Sequence, residues 1–514
     1  MNNGLANRCG FLAVAVAAAL FSIFPLTDTD IWWHLACARE WVQTWTPSRL
    51  PVVNVHEYFQ RVVGFVYGIG DAPLLVAFKA VLWGVVFALF LLPQKKPCVE
   101  CQSKSASLAG VTLAALVFFI FRYHFEIRPV LFSLLFLGLY WNLLPKILNP
   151  SPLSSRTSSL EPRTYFLLLS VFVIQWLWCK CQGLYILGPL FAVAVLASAW
   201  LDAWRMKINL PKKLRLFHVG VVLALFAMPF LHSEGLNLFL YPFGLLDRLV
   251  GMSPSAAVFA SEIAENRSPF TLLMAGENVL ESVVMIVLCG SGLVIAVWNA
   301  IKGRLGLMPI CLFATAVLAL IAERNFVLFM PVLLYGVVTF CNSLGPRLDA
   351  QGSKKITNHH LLIIFFCLLF FLLGLWARSL LAYDSSMIAS QRVPVDAAAW
   401  MVSHPHEGRL FNDDRAGGYL ELVNPDDSVF IDGRFILKTA DFFERYLRYA
   451  DDPSLFIHDA DSLRIGRAIF PLRYYARWGK LVSALESHKD WDAVYRDSLY
   501  IVLNHSFRNL VSER

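Results

Sequence analysis

Residues 11–36 read FLAVAVAAALFSIFPLTDTDIWWHLA. A mostly apolar run gives way at Asp28 to two aspartates, two tryptophans and a histidine, ending at His34. The run has the character of a membrane-inserted helix, so the polar cluster lies where the chain leaves the bilayer. Ionised carboxylates at that depth are costly unless hydrated, paired or bound to metal. Asp28 and Asp30 repel one another, so either one holds a raised pKa and serves as a base, or both take a divalent cation. Trp32 and Trp33 suit the headgroup level, where an indole has both an apolar and a wet side. His34 adds a donor or a titratable group. The same residues also read as an aromatic belt with helix-capping aspartates.

The whole chain fits a polytopic membrane protein. It has 514 residues, 57% hydrophobic and 16% charged, with mean hydropathy +0.57; soluble domains carry about a quarter charged residues. The net charge of +7 is uneven: residues 383–514 hold 16 basic and 20 acidic residues, so the excess of positive charge lies before them. No basic tract with interleaved aromatics appears, which argues against a nucleic-acid partner. None of the ten cysteines falls in residues 383–514, so a disulfide framework there is excluded. Cys98 and Cys101 form a lone CxxC with no second pair to complete a zinc site.

Apolar runs predict about eleven spans, near 10–26, 72–93, 107–122, 129–144, 164–179, 183–201, 216–231, 279–300, 305–321, 326–342 and 360–382. Lys and Arg collect in alternate loops, for example Lys95/Lys96, Arg205/Lys207/Lys212/Lys213 and Lys302/Arg304. Those loops are expected on the cytoplasmic side. The N-terminus is then cytoplasmic, and loops 27–71 and 232–278 and the C-terminal segment are external. The first span is read as a retained anchor rather than a cleaved signal. Residues 1–382 thus form a transmembrane domain and 383–514 an external α+β domain. In the latter, GRLFNDD and SVFIDGRF predict strands, TADFFERYLRYADD a helix and DAVYRDSLYIVLNHS a closing hairpin. After His34, REWVQTW reads as an amphipathic interfacial helix.

At these landmarks a resemblance emerges. Asp28-Thr29-Asp30-Ile31-Trp32-Trp33-His34 resembles the Asp-Pro-Asp-x-Trp-Trp-His opening of bacterial multi-pass proteins similar to the glycosyltransferase-C superfamily, the polyprenyl-phosphate-sugar-dependent transferases. RLPVVNVHEYF, Arg128-Pro129 with VLFSLLF, LFNDDRAGGYL, VFIDGR and WDAVYRDSLYIVL look like that group's further segments. Two elements depart: Trp178-Cys179-Lys180-Cys181-Gln182-Gly183 replaces Trp-x-Asn-x-His-Gly, and VYGIG replaces His-Glu-Trp-Leu. The resemblance implies transfer of a sugar from a polyprenyl phosphate to a glycan, lipid or protein acceptor, usually with inversion, on the outer face of the cytoplasmic membrane. It assigns the general base to a carboxylate of the first external loop.

The residue chemistry agrees with that division of labour. A phosphate leaving group needs little proton help, whereas an acceptor hydroxyl needs a base. Asp30 is favoured over Asp28 because it lies farther from the apolar run, with His34 beside them. Arg128, Lys180 and Arg324 sit at predicted span ends and can meet phosphate oxygens. Trp33 and Glu265 complete the candidate substrate contacts. No cofactor is required beyond the divalent cation allowed for at Asp28/Asp30. Two other classes compete: a catalytically silent membrane protein whose external domain serves binding or envelope assembly, and a transporter, which would show repeated halves that the sequence lacks.

Overall fold

The computed structural model describes residues 3–49, 52–91, 113–148, 162–250, 254–337, 358–473 and 476–507. Cys98 and Cys101 lie outside them, as do most of the predicted loops 146–163 and 344–359. The chain packs as two compact units.

The first unit comprises residues 1–24, 76–242 and 263–383 and is helical. Among the described residues, five helices are long and apolar enough to cross a membrane: Glu57–Leu91, Pro129–Leu148, Gly183–Arg205, Lys212–Leu231 and Val279–Ile301. Shorter apolar helices cover Leu12–Phe21, Thr164–Cys179, Leu307–Ile321 and Phe370–Leu381. Helix Glu57–Leu91 is broken at Gly70 and Asp71, two residues before Pro73. Aromatic packing and isolated polar bonds join the helices. Trp141 meets Phe90, Phe191 and Tyr335. The Tyr140 hydroxyl donates to the Val171 carbonyl at 2.9 Å and faces Gln175 Oε1 at 3.0 Å. Such bonds hold helices together where apolar faces gain nothing by leaving lipid. Lys79 is fully buried, 3.7 Å from Glu126, with its ammonium 3.2 Å from the Phe24 carbonyl and over the Phe24 ring. It is thus one half of a buried pair.

The second unit comprises residues 25–75, 243–262 and 384–514. Its centre is a four-stranded sheet in the order β1-β2-β4-β3, formed by β1 (Arg409–Asn412), β2 (Ile465–Pro471), β3 (Trp491–Arg496) and β4 (Tyr500–His505). β1 and β2 are parallel; the other two pairings are antiparallel. β2 is buried along its length, as expected of a central strand covered on both faces. GRLFNDD supplies β1, the closing segment forms the predicted hairpin, and Ala440–Asp451 is the predicted amphipathic helix. SVFIDGRF is not a strand: it runs irregularly into a 3-10 turn at Phe435–Leu437, and the parallel partner of β1 comes from Ile465–Pro471. Gly417 and Gly418 lie within helix Asp414–Val423.

The segment following the first apolar helix is built into this sheet domain. Leu26 pairs in parallel with Ile388, and the Trp45 and Arg49 amides donate to the Val429 and Leu437 carbonyls at 3.0 and 2.6 Å. The Trp45 indole donates to the Leu410 carbonyl at 2.8 Å. REWVQTW is accordingly not an interfacial helix; these backbone bonds to residues 429–437 replace those a helix would make.

Candidate functional site

In the second unit, Asp30 opens a short helix, Asp30–Ala36, that packs on helix Asp414–Val423. Two glycines permit the close approach. A Cβ on Gly418 would stand 2.6 Å from the Trp33 backbone nitrogen, and one on Gly433 would stand 1.9 Å from Asp30 Oδ1. The Trp33 indole donates to Asp30 Oδ1 at 3.3 Å, and the Asp30 amide donates to Asp28 Oδ1 at 3.4 Å. Asp28 is buried and Asp30 half-buried. Trp32 lies edge-on to Tyr419 and Tyr67. His34 is buried between Trp33, His56 and Phe59, with Nδ1 3.5 Å from Gln60 Nε2.

Arg434 clasps the same helix. Its guanidinium donates to Asp432 at 2.7 Å, to Glu421 at 2.8 Å and to the Val42 carbonyl at 2.7 Å. It also lies over the rings of Trp41 and Trp33. Burial and the neighbouring Asp432 push the Glu421 carboxyl up to about 9 against the pull of Arg434, while Arg434 holds Asp432 below its usual value despite burial. Asp414 is not among the partners of Arg434 and accepts from the Tyr446 hydroxyl at 2.8 Å. Asp413 caps the helix through the Arg415 amide and accepts from the Trp478 indole at 2.7 Å. Burial, then the charge of Asp414, push the Asp413 carboxyl up to about 7.

In the first unit the charged candidates gather at helix ends. Arg128, just before helix Pro129–Leu148, donates to Glu265 at 2.6 Å. Arg324 donates to Asn266 Oδ1 at 2.9 Å, so both arginines reach the two-residue segment 265–266. Burial alone would raise the Glu265 carboxyl, but Arg128, with Arg324 and His124 farther off, draws it down to about 2. The Glu323 amide donates to the Arg267 carbonyl at 3.0 Å, and Arg267 forks onto Glu277 at 2.6 and 3.1 Å. Lys180, almost fully buried, pairs with Glu234. In the departing element, Trp178 donates to Ser133 at 2.8 Å and Gln182 caps the turn that follows. Cys179 and Cys181 are buried free thiols.

Three residues that the sequence reading left without a catalytic or binding role also meet here. His124 Nε2 lies 3.6 Å from Glu281 and 3.7 Å from Glu323. Among the described residues, these three form the one group of metal-ligating side chains whose donor atoms all lie within 4.8 Å of one another. Glu281 sits in the first turn of helix Val279–Ile301 and faces His124. A signal was present: His124 and Glu126 are two residues apart beside a predicted span, as Asp28 and Asp30 are.

No protein-family model matches the chain, and no curated protein matches it. Solved structures do. Archaeal oligosaccharyltransferase AglB from Archaeoglobus fulgidus, in complex with an inhibitory peptide and a dolichol-phosphate, aligns over 94% of this chain and 72% of its own. The identity is 14% and the TM-score 0.52. The Archaeoglobus fulgidus oligosaccharyltransferase in complex with Zn and sulfate aligns over 98% and 73%, with 13% identity and TM-score 0.55. The same enzyme tethered to an acceptor peptide containing the NVT sequon aligns over 97% and 74%, with 14% identity and TM-score 0.52. The chain shares the fold of these oligosaccharyltransferase structures. That fold extends through both the helical unit and the sheet domain, as the sequence landmarks implied.

Proposed function

We propose that this chain is a multi-pass membrane glycosyltransferase of about eleven spans that transfers sugar from a polyprenyl-phosphate donor to an acceptor on the outer face of the cytoplasmic membrane. The observation that carries the reading is the alignment of almost the whole chain with a transferase solved with a dolichol-phosphate. A fold alone does not assign chemistry, and the residues supply the rest. Asp30, braced by Trp33 and abutted by Gly433, takes the proton of the acceptor nucleophile as its lone pair attacks the anomeric carbon. The C–O bond to the donor phosphate breaks with inversion, and the electron pair leaves on the phosphate. Asp28 orients Asp30 through the Asp30 amide. Arg128 and Arg324 exchange Glu265 and Asn266 for the donor's phosphate oxygens. The acceptor is a glycan, lipid or peptide; the neighbour's tethered peptide makes peptides the first to try.

The test is transfer by purified full-length protein from a panel of polyprenyl-phosphate and dolichol-phosphate sugars. Asp30→Asn is expected to lower turnover by at least about 100-fold, the range for loss of a positioned base. Arg128→Gln and Arg324→Gln are expected to raise the donor KM. Unchanged turnover in both Asp30→Asn and Asp28→Asn removes these aspartates from the mechanism.

One observation favours a second reading, a silent membrane protein used for binding or assembly. Arg128, Lys180 and Arg324 each already have a protein partner. That reading predicts no transfer from any donor.

A further inference from the structure

We infer that His124, Glu281 and Glu323 form a divalent-cation site of the Zn2+ or Mn2+ class. The three ligands come from separate segments: the turn Arg122–His124, the first turn of helix Val279–Ile301 and the turn Glu323–Asn325. The His124 Nε2 separations of 3.6 and 3.7 Å suit a shared ion. Two donors about 2.1 Å from a tetrahedral metal stand roughly 3.4 Å apart.

Glu323 is the independent sign of a missing cation. Its side chain is only 7% exposed and is turned toward the other two ligands. No hydrogen bond reaches its carboxylate among the described residues, and its ion-pair contact is the His124 ring, beyond hydrogen-bond length. A buried carboxylate in that state is costly. Protonating His124 does not resolve it, because one Nε2–H can point at only one of the two glutamates. A divalent ion bound by both carboxylates and the neutral imidazole does. An imidazole in the ligand set disfavours Mg2+ and Ca2+, which prefer all-oxygen coordination.

Three protein ligands leave a coordination position open, and the partly exposed His124 and Glu281 (side chains 18% and 28%) mark the side from which an anionic oxygen enters. Assigning that oxygen to the donor's phosphate rests on the transferase reading; the cation itself does not.

The experiment uses full-length protein in detergent, stripped with EDTA and titrated with MnCl2. Bound ion is read from loss of the free Mn2+ spin-resonance signal, with ZnCl2 as competitor. One site is expected, with affinity at least tenfold weaker in Glu323→Gln and in Glu281→Gln and unchanged in Asp30→Asn. Equal affinity in wild type and both glutamine variants, or no binding by folded wild type, overturns the site. Binding lost in Asp30→Asn but kept in Glu323→Gln also overturns it and moves the ion to Asp28/Asp30. If Glu323→Gln fails to fold, the more exposed Glu281→Gln decides. Binding is scored apart from turnover, so Mn2+ bound with no sugar transferred sinks the transferase reading alone. Transfer without a bound ion sinks the site alone.

Discussion

Arg434 shows how much one side chain organises. It neutralises Asp432, pairs with Glu421, bonds the Val42 carbonyl and covers two indoles. Arg434→Ala strands the buried Asp432 carboxylate, leaves Glu421 without its partner and is expected to destabilise the sheet domain by about 3–5 kcal/mol. Arg434→Lys keeps the charge, loses the fork, and should cost less. Both are read from the thermal unfolding transition by tryptophan fluorescence. Asp413 adds a pH dependence of definite sign. Its carboxyl is raised to about 7 when folded, against about 4 when unfolded. Its contribution is therefore full below about pH 4 and is lost as pH rises toward 7. The domain's melting temperature should fall over that window. Asp414→Asn removes one of the two causes and should flatten the slope. The Asp432–Arg434 pair was not legible in the sequence, although the two residues lie only two apart. Nor was Glu421, which reaches Arg434 from helix Asp414–Val423, 13 residues earlier, with no spacing rule to mark it.

At the scale of elements, the Gly418 contact explains why helix Asp30–Ala36 and helix Asp414–Val423 touch where they do, and the Gly433 contact sets the turn at 432–434 against Asp30. Gly433→Ala drives a methyl group into Asp30 Oδ1. On the transferase reading it should lower turnover by about 100-fold, the cost of misplacing a reacting group by about 1 Å. The sheet should still melt as a unit. Wild-type turnover in this variant would show that Asp30 is not held by that turn. The break in helix Glu57–Leu91 supplies a stability test. Asp71 is exposed at φ 51°, ψ −155°, a region suited to glycine. Asp71→Gly should relieve strain and stabilise by about 1 kcal/mol, measured as a higher melting temperature. Periodic elements were readable from sequence: helix Ala440–Asp451 and the β3–β4 hairpin follow apolar spacing. SVFIDGRF misled because its run Val429-Phe430-Ile431 is apolar and buried like a strand, yet its backbone groups bond to Trp45, Thr46 and the Asn412 side chain rather than to a ladder. The sequence signal for β-structure measures burial, and burial here has another cause.

For the whole molecule, the eleven apolar runs and the basic loops predict a topology that labelling can check. Ser403 and Lys302 are both exposed. Ser403→Cys should react with an impermeant maleimide on intact cells, and Lys302→Cys only after permeabilisation. Reaction of Lys302→Cys from outside would invert the proposed orientation. The overall fold was legible because membrane insertion imposes long apolar stretches. The partnership of His124, Glu281 and Glu323 was not, because it is assembled from three distant segments with no spacing rule to connect them.

The joining of residues 25–49 to residues 388–437 also sets a timetable for synthesis. Some 340 residues separate the first segment's emergence from that of its partners. At a ribosomal pace of about 5–20 residues per second, the Trp-rich stretch waits roughly 20–70 s before its permanent neighbours exist. A chain stopped anywhere before residue 437 leaves the acidic motif without the scaffold that shapes it.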